Sequence, residues 1–277
     1  MRMSGDLRRL HFPAVTLYAD LLRHSDLFLN LFRRELRVKY RGSVLGLGWT
    51  LVLPLALMSV YTVVFSVLLG AVSIDHYPLF LLSGLVTWVF FQGALQSSCT
   101  SLLGQASLVK QVRFPRQLLT FAVVGTNAVT LVVMLVVLVP VNLIFIPETR
   151  TTFWAALPLV IPLVALAGGI ALVPATLTVV FRDVEHLLTA ILLPWFFLTP
   201  VFYTLDLQQI SGHPHLVQLL HWGNPVAPLV IAIRDPLFFG QFPPLGDVIY
   251  VVVAGLAALG VAALVFRRLD DQLAAQL

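Results

Sequence analysis

Three histidines, His213, His215 and His221, are the side chains of this 277-residue chain best suited to hold a metal ion. His213 and His215 flank Pro214, and Asp206 is the only acid close to that pair along the chain. An irregular loop gives no fixed tetrahedral geometry, so the trio reads as polar loop chemistry and not as a metal site. Acid–base catalysis at a membrane face needs clustered Asp, Glu or His. Here Asp75, Glu148, Asp206, Asp235 and Asp247 are scattered, which weighs against an intramembrane acyl- or glycosyltransferase. Cys99 is the single cysteine, which rules out an internal disulfide and a cysteine metal cage. No G-x-x-x-x-G-K-[ST], H-E-x-x-H, C-x-x-C or G-x-S-x-G occurs, so the chain has no P-loop for ATP. No catalytic, cofactor-binding or metal set is expected on this chain.

Positive charge, by contrast, is concentrated. Arg33, Arg34, Arg37, Lys39 and Arg41 fall within nine positions, opposed only by Glu35. At helical spacing Leu29, Phe32, Leu36 and Tyr40 form an apolar stripe, and Arg33, Arg37 and Arg41 a basic one. Ser25 or Asp26 is the expected N-cap. The double periodicity predicts an amphipathic helix in the membrane interface. A second basic stretch, "SLVKQVRFPRQLL" over 107–119, repeats Lys110, Arg113 and Arg116 with Leu108, Val109 and Val112 between them, and Pro115 stops the turn. It reads as a short positive loop or as a short helix offered to a partner. In "FRDVEHLL", Arg182 faces Asp183 and Glu185 in a tight turn. A surface ion pair there contributes only about 0–1 kcal/mol, so its role is positional. Aromatics gather at Tyr61 and Phe65, at Trp88, Phe90 and Phe91, and at Trp195, Phe196, Phe197, Phe202 and Tyr203. Aromatic faces stack on the apolar faces of sugar rings, but they also populate membrane interfaces.

The elements that carry these residues are membrane spans. The chain is 59% hydrophobic and 11% charged, against about a quarter charged in soluble domains, and its mean hydropathy is +0.94. Charge-free runs cover 42–74, 76–109, 117–147, 151–181, 186–205, 207–233 and 248–266. Crossing the bilayer takes about 20 apolar residues, and every run but 207–233 supplies them. That run has short apolar pieces, Leu216–Trp222 and Val226–Ile233, which read as interfacial or re-entrant. No cleavable signal is visible in the first 40 residues. With both termini inside, fifteen of the seventeen Lys and Arg face the cytoplasm, and only Arg150 and Arg234 lie outside. The positive-inside rule favours that orientation. Ion-coupled transporters usually carry ionisable groups at membrane depth; their scarcity here points to energy from another protein. Pro54, Pro140, Pro158, Pro162, Pro174 and Pro194 lie inside the spans and read as packing bends. Gly42 and Gly46 form a G-x-x-x-G that serves either close helix packing or the turn into the first span. Lysine, at positions 39 and 110 only, reads as compositional bias.

Four stretches in order, "LFRRELRVKYRGSVLGLGWTLVLPLAL", "LVKQVRFPRQLL", "FRDVEHLL" and "NPVAPLVIAIRDPLF", resemble the membrane subunit of ATP-binding-cassette exporters of the type-2 permease family. Within it the chain is most similar to the polysaccharide permeases that export O-antigen, capsule, teichoic acid or galactan. The resemblance spans nearly the whole length. It implies an all-α integral membrane fold of six transmembrane helices, with an N-terminal amphipathic interface helix and short external re-entrant helices before the last span. The implied division is 1–41 cytoplasmic with the interface helix, 42–266 the permease domain, and 267–277 a cytoplasmic tail. Leu29, Phe32, Arg33, Leu36, Arg37, Tyr40 and Arg41 would form the interface helix. Leu108, Val109, Lys110, Gln111, Val112, Arg113, Phe114 and Pro115 would be the coupling helix, with Arg182, Asp183 and Glu185 in the turn beside it. The channel aromatics implied are Tyr61, Phe65, Trp195, Phe196 and Tyr203. Implied partners are two copies of a nucleotide-binding ATPase carrying ATP and Mg, a second copy of this chain, a lipid-linked glycan and membrane lipid, with no nucleic acid. The setting is a bacterial cytoplasmic membrane. The alternative function is the same fold exporting a drug or other small amphiphile; a scaffold without transport is a third reading.

Overall fold

The computed structural model describes residues 23–68, 70, 74–105, 115–205 and 212–276. Among them every regular element is helical. Helix α1 spans Ser25–Tyr40, α2 Trp49–Tyr61 with a π-helical continuation Thr62–Leu68, α3 Tyr77–Cys99, α4 Gln117–Phe145 and α5 Ala156–Val180. Then follow α6 Val184–Leu198, α7 Pro214–Trp222, α8 Ala227–Arg234 with a π turn Asp235–Phe239, and α9 Leu245–Gln276.

Five segments are long and apolar enough to cross a membrane: Gly46–Leu68, Tyr77–Cys99, Gln117–Phe145, Phe153–Val180 and Leu245–Phe266. The fifth expected span departs from expectation. Its helix α6 has 15 residues, about 22 Å at 1.5 Å per residue, against roughly 30 Å of hydrocarbon. Thr199 then turns extended, with ψ of 133°, because Pro200 disfavours helical backbone in the residue before it. The short apolar pieces are two separate helices, as expected: Pro214–Trp222 and Ala227–Phe239 meet at 86°.

The hub is α3, buried from Tyr77 to Cys99 on most of its faces. Its core cluster takes Leu85, Trp88, Phe91 and Leu95 together with residues of α4, α5, α6 and α8. α5 and α9 approach closely because Gly169 has no side chain: a Cβ there would lie 2.6 Å from the Ala258 carbonyl carbon. Small residues at such contacts let dispersion replace the hydrophobic drive that lipid does not supply. The bent pair is tied down at its far end, where Asn142 Nδ2 donates to the Leu237 carbonyl at 2.6 Å and Thr152 Oγ1 to that of Pro236 at 2.9 Å.

α1 is the expected helix, but its contact face is rotated from the expected stripe. Leu31 is buried among Leu118, Leu119 and Ala122, with Leu27, Phe28 and Phe32 beside it, whereas Leu29 is exposed. Gly125 on α4 receives the ring of Phe32, 3.2 Å from where a Cβ would stand. Nor do Ser25 or Asp26 cap the helix; His24 occupies the N-cap without a side-chain bond. Gly42 and Gly46 bear on the G-x-x-x-G alternative. Both have positive φ, 77° and 49°, with nothing within 4 Å of a would-be Cβ. Their left-handed backbone serves the turn into the first span.

Candidate functional site

The end of the molecule that carries α1 is the basic end. From there a cleft of about 1230 Å³ runs between α1, α2, α3, α4 and α6. It is large for a ligand site, which commonly measures about 300–1,000 Å³. Its rim is apolar, with Leu53 and Leu193 exposed. Its polar wall holds Gln92 and Gln96 of α3, Asn127 and Thr130 of α4, and Thr189 of α6. Tyr61, Trp88 and Phe196 close the other end.

Each polar group has a local reason for its place. Gly93 lets the Asn127 amide lie close to α3, since a Cβ would sit 3.1 Å from Oδ1. Asn127 Nδ2 donates to the Val123 carbonyl at 3.0 Å and to Ser97 Oγ at 3.4 Å. Its Oδ1 is thereby turned to accept from Lys39 Nζ at 3.0 Å. Lys39 also donates to Thr130 Oγ1 at 3.3 Å, and the Tyr40 hydroxyl lies 3.3 Å from the same oxygen. Partial burial pulls the Lys39 ammonium below the ordinary lysine value. Trp88 Nε1 donates to Gln92 Oε1 at 2.8 Å, fixing that indole at the aromatic end.

Beyond Tyr61 the aromatics form a continuous cluster. Tyr61 stacks on Phe196 with centroids 5.7 Å apart, and Phe65 stacks on Phe202 at 4.9 Å. Phe196 reaches Trp88 at 5.4 Å and Phe202 at 5.8 Å. The structure thus brings Tyr61, Phe65 and Phe196 together. Trp195 is turned the other way, edge-on to Phe91 at 5.3 Å, and its Nε1 donates to Asn224 Oδ1 at 2.9 Å. Tyr203 packs on Phe202 at 5.0 Å, and its hydroxyl donates to the Phe197 carbonyl at 3.4 Å. Of the five aromatics singled out in the sequence, Tyr61 and Phe196 line the cleft.

Arg33, Arg34 and Arg37 are exposed on α1, and Arg41 lines the cleft. Leu108, Val109, Lys110, Gln111, Val112, Arg113 and Phe114 lie outside the described residues; Pro115 precedes α4. Arg182, Asp183 and Glu185 are exposed at the start of α6, and among the described residues no ion pair joins Arg182 to either acid. Asp183 instead stands at the N-cap and Glu185 in the first turn, where negative charge suits the helix dipole. His221 faces Asp247 at 2.8 Å rather than His213 or His215, and no metal-holding group of His, Cys, Asp or Glu gathers among the described residues.

Sequence reasoning missed two features. The uncharged cleft residues Gln92, Gln96, Asn127 and Thr130 escape a scan for charge, although their i, i+4 and i, i+3 spacing places each pair on one helix face. Arg234, expected as a solvent-side charge, is 2% exposed. Its Nη2 donates to the Val201 carbonyl at 2.7 Å, and its guanidinium lies 4.0 Å over Phe80. That pins α8 to the extended chain after α6, whose neighbour Phe202 accepts the Tyr77 hydroxyl at 2.9 Å.

The chain resembles proteins of one kind. The O-antigen export system permease protein RfbA of Myxococcus xanthus is 28% identical over 262 residues, covering 94% of this chain and 98% of that one. A Klebsiella pneumoniae protein of the same name is 27% identical over 212 residues, covering 76% and 79% respectively. Residues 26–238 match the family described as ABC-2 type transporter, so this multi-pass helical chain, cleft and aromatic cluster included, belongs to the ABC-2 transporter permeases.

Proposed function

We propose that this chain is the permease subunit of an ATP-driven exporter of lipid-linked polysaccharide in a bacterial cytoplasmic membrane. The observation that carries the reading is the cleft: amides and two cations at the basic end, aromatic faces from α2 and α6 at the other, and an apolar rim between. Hydroxyl-rich sugars suit the amides, their C–H faces suit the aromatics, and a lipid tail suits the rim. The names of the relatives support polysaccharide over a drug-like amphiphile.

In this reading the basic end is cytoplasmic, with both termini there, and α7 and α8 lie on the external face. Two copies of the chain pair with two nucleotide-binding subunits, which hold ATP and Mg; this chain supplies transport and no catalysis. Leu108–Pro115 serve as the coupling helix, α1 as the interface helix, and Arg182, Asp183 and Glu185 as the turn beside them. ATP-driven closure of the partner pair moves the first two as one lever on α2 and α6.

Vesicles reconstituted with this chain and its ATPase are expected to translocate lipid-linked glycan and to stop when the ATPase loses its P-loop lysine. Transport that persists with the dead ATPase, or none with the live one, overturns the reading. Replacing Arg113 and Phe114 together with alanine is expected to leave insertion intact while ATP hydrolysis continues without export. Unchanged export in that double variant removes the lever assignment.

A further inference from the structure

Lys39 is one of two lysines in the chain, and its surroundings are unusual for a membrane-protein cation. Its two hydrogen bonds go to neutral oxygens, Asn127 Oδ1 and Thr130 Oγ1. An ammonium has three donors, so one remains. Glu35 stands one helical turn earlier, the favourable register for an ion pair, but its Oε1 accepts from Gln105 Nε2 at 2.8 Å instead. Arg41 is the other cation of the cleft, and among the described residues no Asp or Glu lines it. Among those residues the basic end of the cleft therefore carries positive charge with no anion in its lining.

We propose that Lys39, seated on Asn127 and Thr130, is the subsite for the phosphate or diphosphate group that joins a lipid tail to its glycan. The inference rests on the lipid-linked reading above and deepens it. An amphiphile of that class has three parts, and the cleft offers a place for each. The apolar rim at Leu53 and Leu193 takes the tail, Lys39 with Arg41 takes the anion, and the aromatic end at Tyr61, Trp88 and Phe196 takes the sugars. A lysine binds phosphate as a compact point charge with rotatable donors. A helix tether alone needs no charge at this position, because glutamine could donate to the same two oxygens. The lowered proton affinity of Lys39 is the cost of holding that charge against neutral neighbours, and a bound anion reverses it.

The test is equilibrium binding of radiolabelled geranylgeranyl diphosphate to the full chain in phosphatidylcholine nanodiscs. Lys39→Gln is expected to weaken binding at least about tenfold, the lower end for a charge-assisted hydrogen bond. Lys39→Arg, which keeps the charge, is expected to stay within about threefold and controls for folding. Geranylgeraniol and inorganic pyrophosphate are each expected to compete poorly, because each lacks one part of the ligand. Binding by Lys39→Gln within twofold of the natural chain overturns the proposal, as does no binding by the natural chain. Mole-for-mole displacement by phosphatidylglycerol also overturns it, by making the site a general anionic-headgroup contact. The measurement needs no ATPase, so any of these failures leaves the export reading standing; that reading falls separately, on translocation by the natural complex.

Discussion

The first and second spans, Gly46–Leu68 and Tyr77–Cys99, have the same length, 23 residues, and opposite fates. In its most apolar window the first span is 6% buried and the second 72%, yet the first is the more apolar of the two. Apolarity and burial thus run in opposite directions. On the sparsely buried first span the polar side chains bond back into their own helix, Ser59 to the Leu55 carbonyl and Thr62 to that of Met58, since hydrocarbon offers them no other partner. The packed second span closes such bonds within itself at Ser83, Ser98 and Gln92, and it also reaches other elements: Ser97 Oγ accepts from Asn127 of α4 at 3.4 Å, and the Tyr77 hydroxyl donates to the Phe202 carbonyl at 2.9 Å. In α3 polar side chains reach neighbouring elements, and in the first span Thr50, Ser59 and Thr62 bond within their own.

The sharpest way to break that contrast is a glycine on each span. A Cβ at Gly84 on α3 would collide with the Arg234 guanidinium and lie 2.9 Å from the Val201 carbonyl oxygen. The flexible guanidinium can move only by giving up its bond to Val201, and the backbone cannot move cheaply. Gly84→Val is expected to destabilise the chain by more than about 4 kcal/mol, the range where a single substitution is diagnostic. Size-exclusion profiles in mild detergent should show loss of the monodisperse species. On the first span Gly48 meets only Leu45 Cβ at 3.7 Å, so Gly48→Val should leave the profile unchanged. Equal behaviour of the two variants would mean that the burial contrast does not govern stability.

A smaller effect separates the same helices through their large side chains. Phe91 is fully buried against Trp88 and Trp195, at 5.8 and 5.3 Å, and Phe91→Ala is expected to cost about 3–5 kcal/mol. Val63, half exposed on the first span, should cost under about 0.5 kcal/mol on truncation to alanine in a single chain. Thermal unfolding followed by aggregation reads both. A large loss at Val63 would be the signature of a second copy packed on that face, and dilution of the protein should then abolish it.

Much of this architecture was legible in the sequence, and the reason is charge. Gaps between charged residues located five spans, three of them to within a few residues at both ends, because charge is excluded from hydrocarbon whatever the fold; the second run overshot its helix at Cys99, and the fifth gave only the short α6. The short apolar pieces around Asn224 and Pro225 likewise foretold the 86° bend. What charge could not reveal was direction. Uniformly apolar helices carry no stripe to show which face meets a neighbour. So the rotation of α1 onto Phe28, Leu31 and Phe32, the turning of Trp195 from the cleft and the burial of Arg234 emerged only from packing. The cleft itself was half legible: Tyr61 and Phe196 stood out, whereas Asn127 and Thr130 were hidden by having no charge.

A further contrast, smaller than the loss at Phe91, distinguishes positioning from contact with substrate. Trp195 packs edge-on against Trp88 and Phe91, and its indole N–H donates to Asn224 Oδ1. Asn224 in turn donates to Thr199 Oγ1 at 2.9 Å, and its Oδ1 also accepts from the Val226 amide at 3.1 Å. It therefore ties the end of α6 to the bend between α7 and α8. Trp195→Phe keeps the aromatic packing and removes one donor while Asn224 stays bonded, so the expected loss is about 1 kcal/mol. Because that residue faces α3 and the bend rather than the cleft, reconstituted export should persist at an unchanged rate per folded complex. Tyr61→Ala, on the cleft wall of the first span, should act on both readouts: it opens the cluster of Phe65, Phe196 and Phe202, lowering the unfolding transition, and it slows export per folded complex. If instead Trp195→Phe slows export without moving the unfolding transition, the indole meets the glycan, and the contrast between a packed second span and an open first span must be extended to include α6.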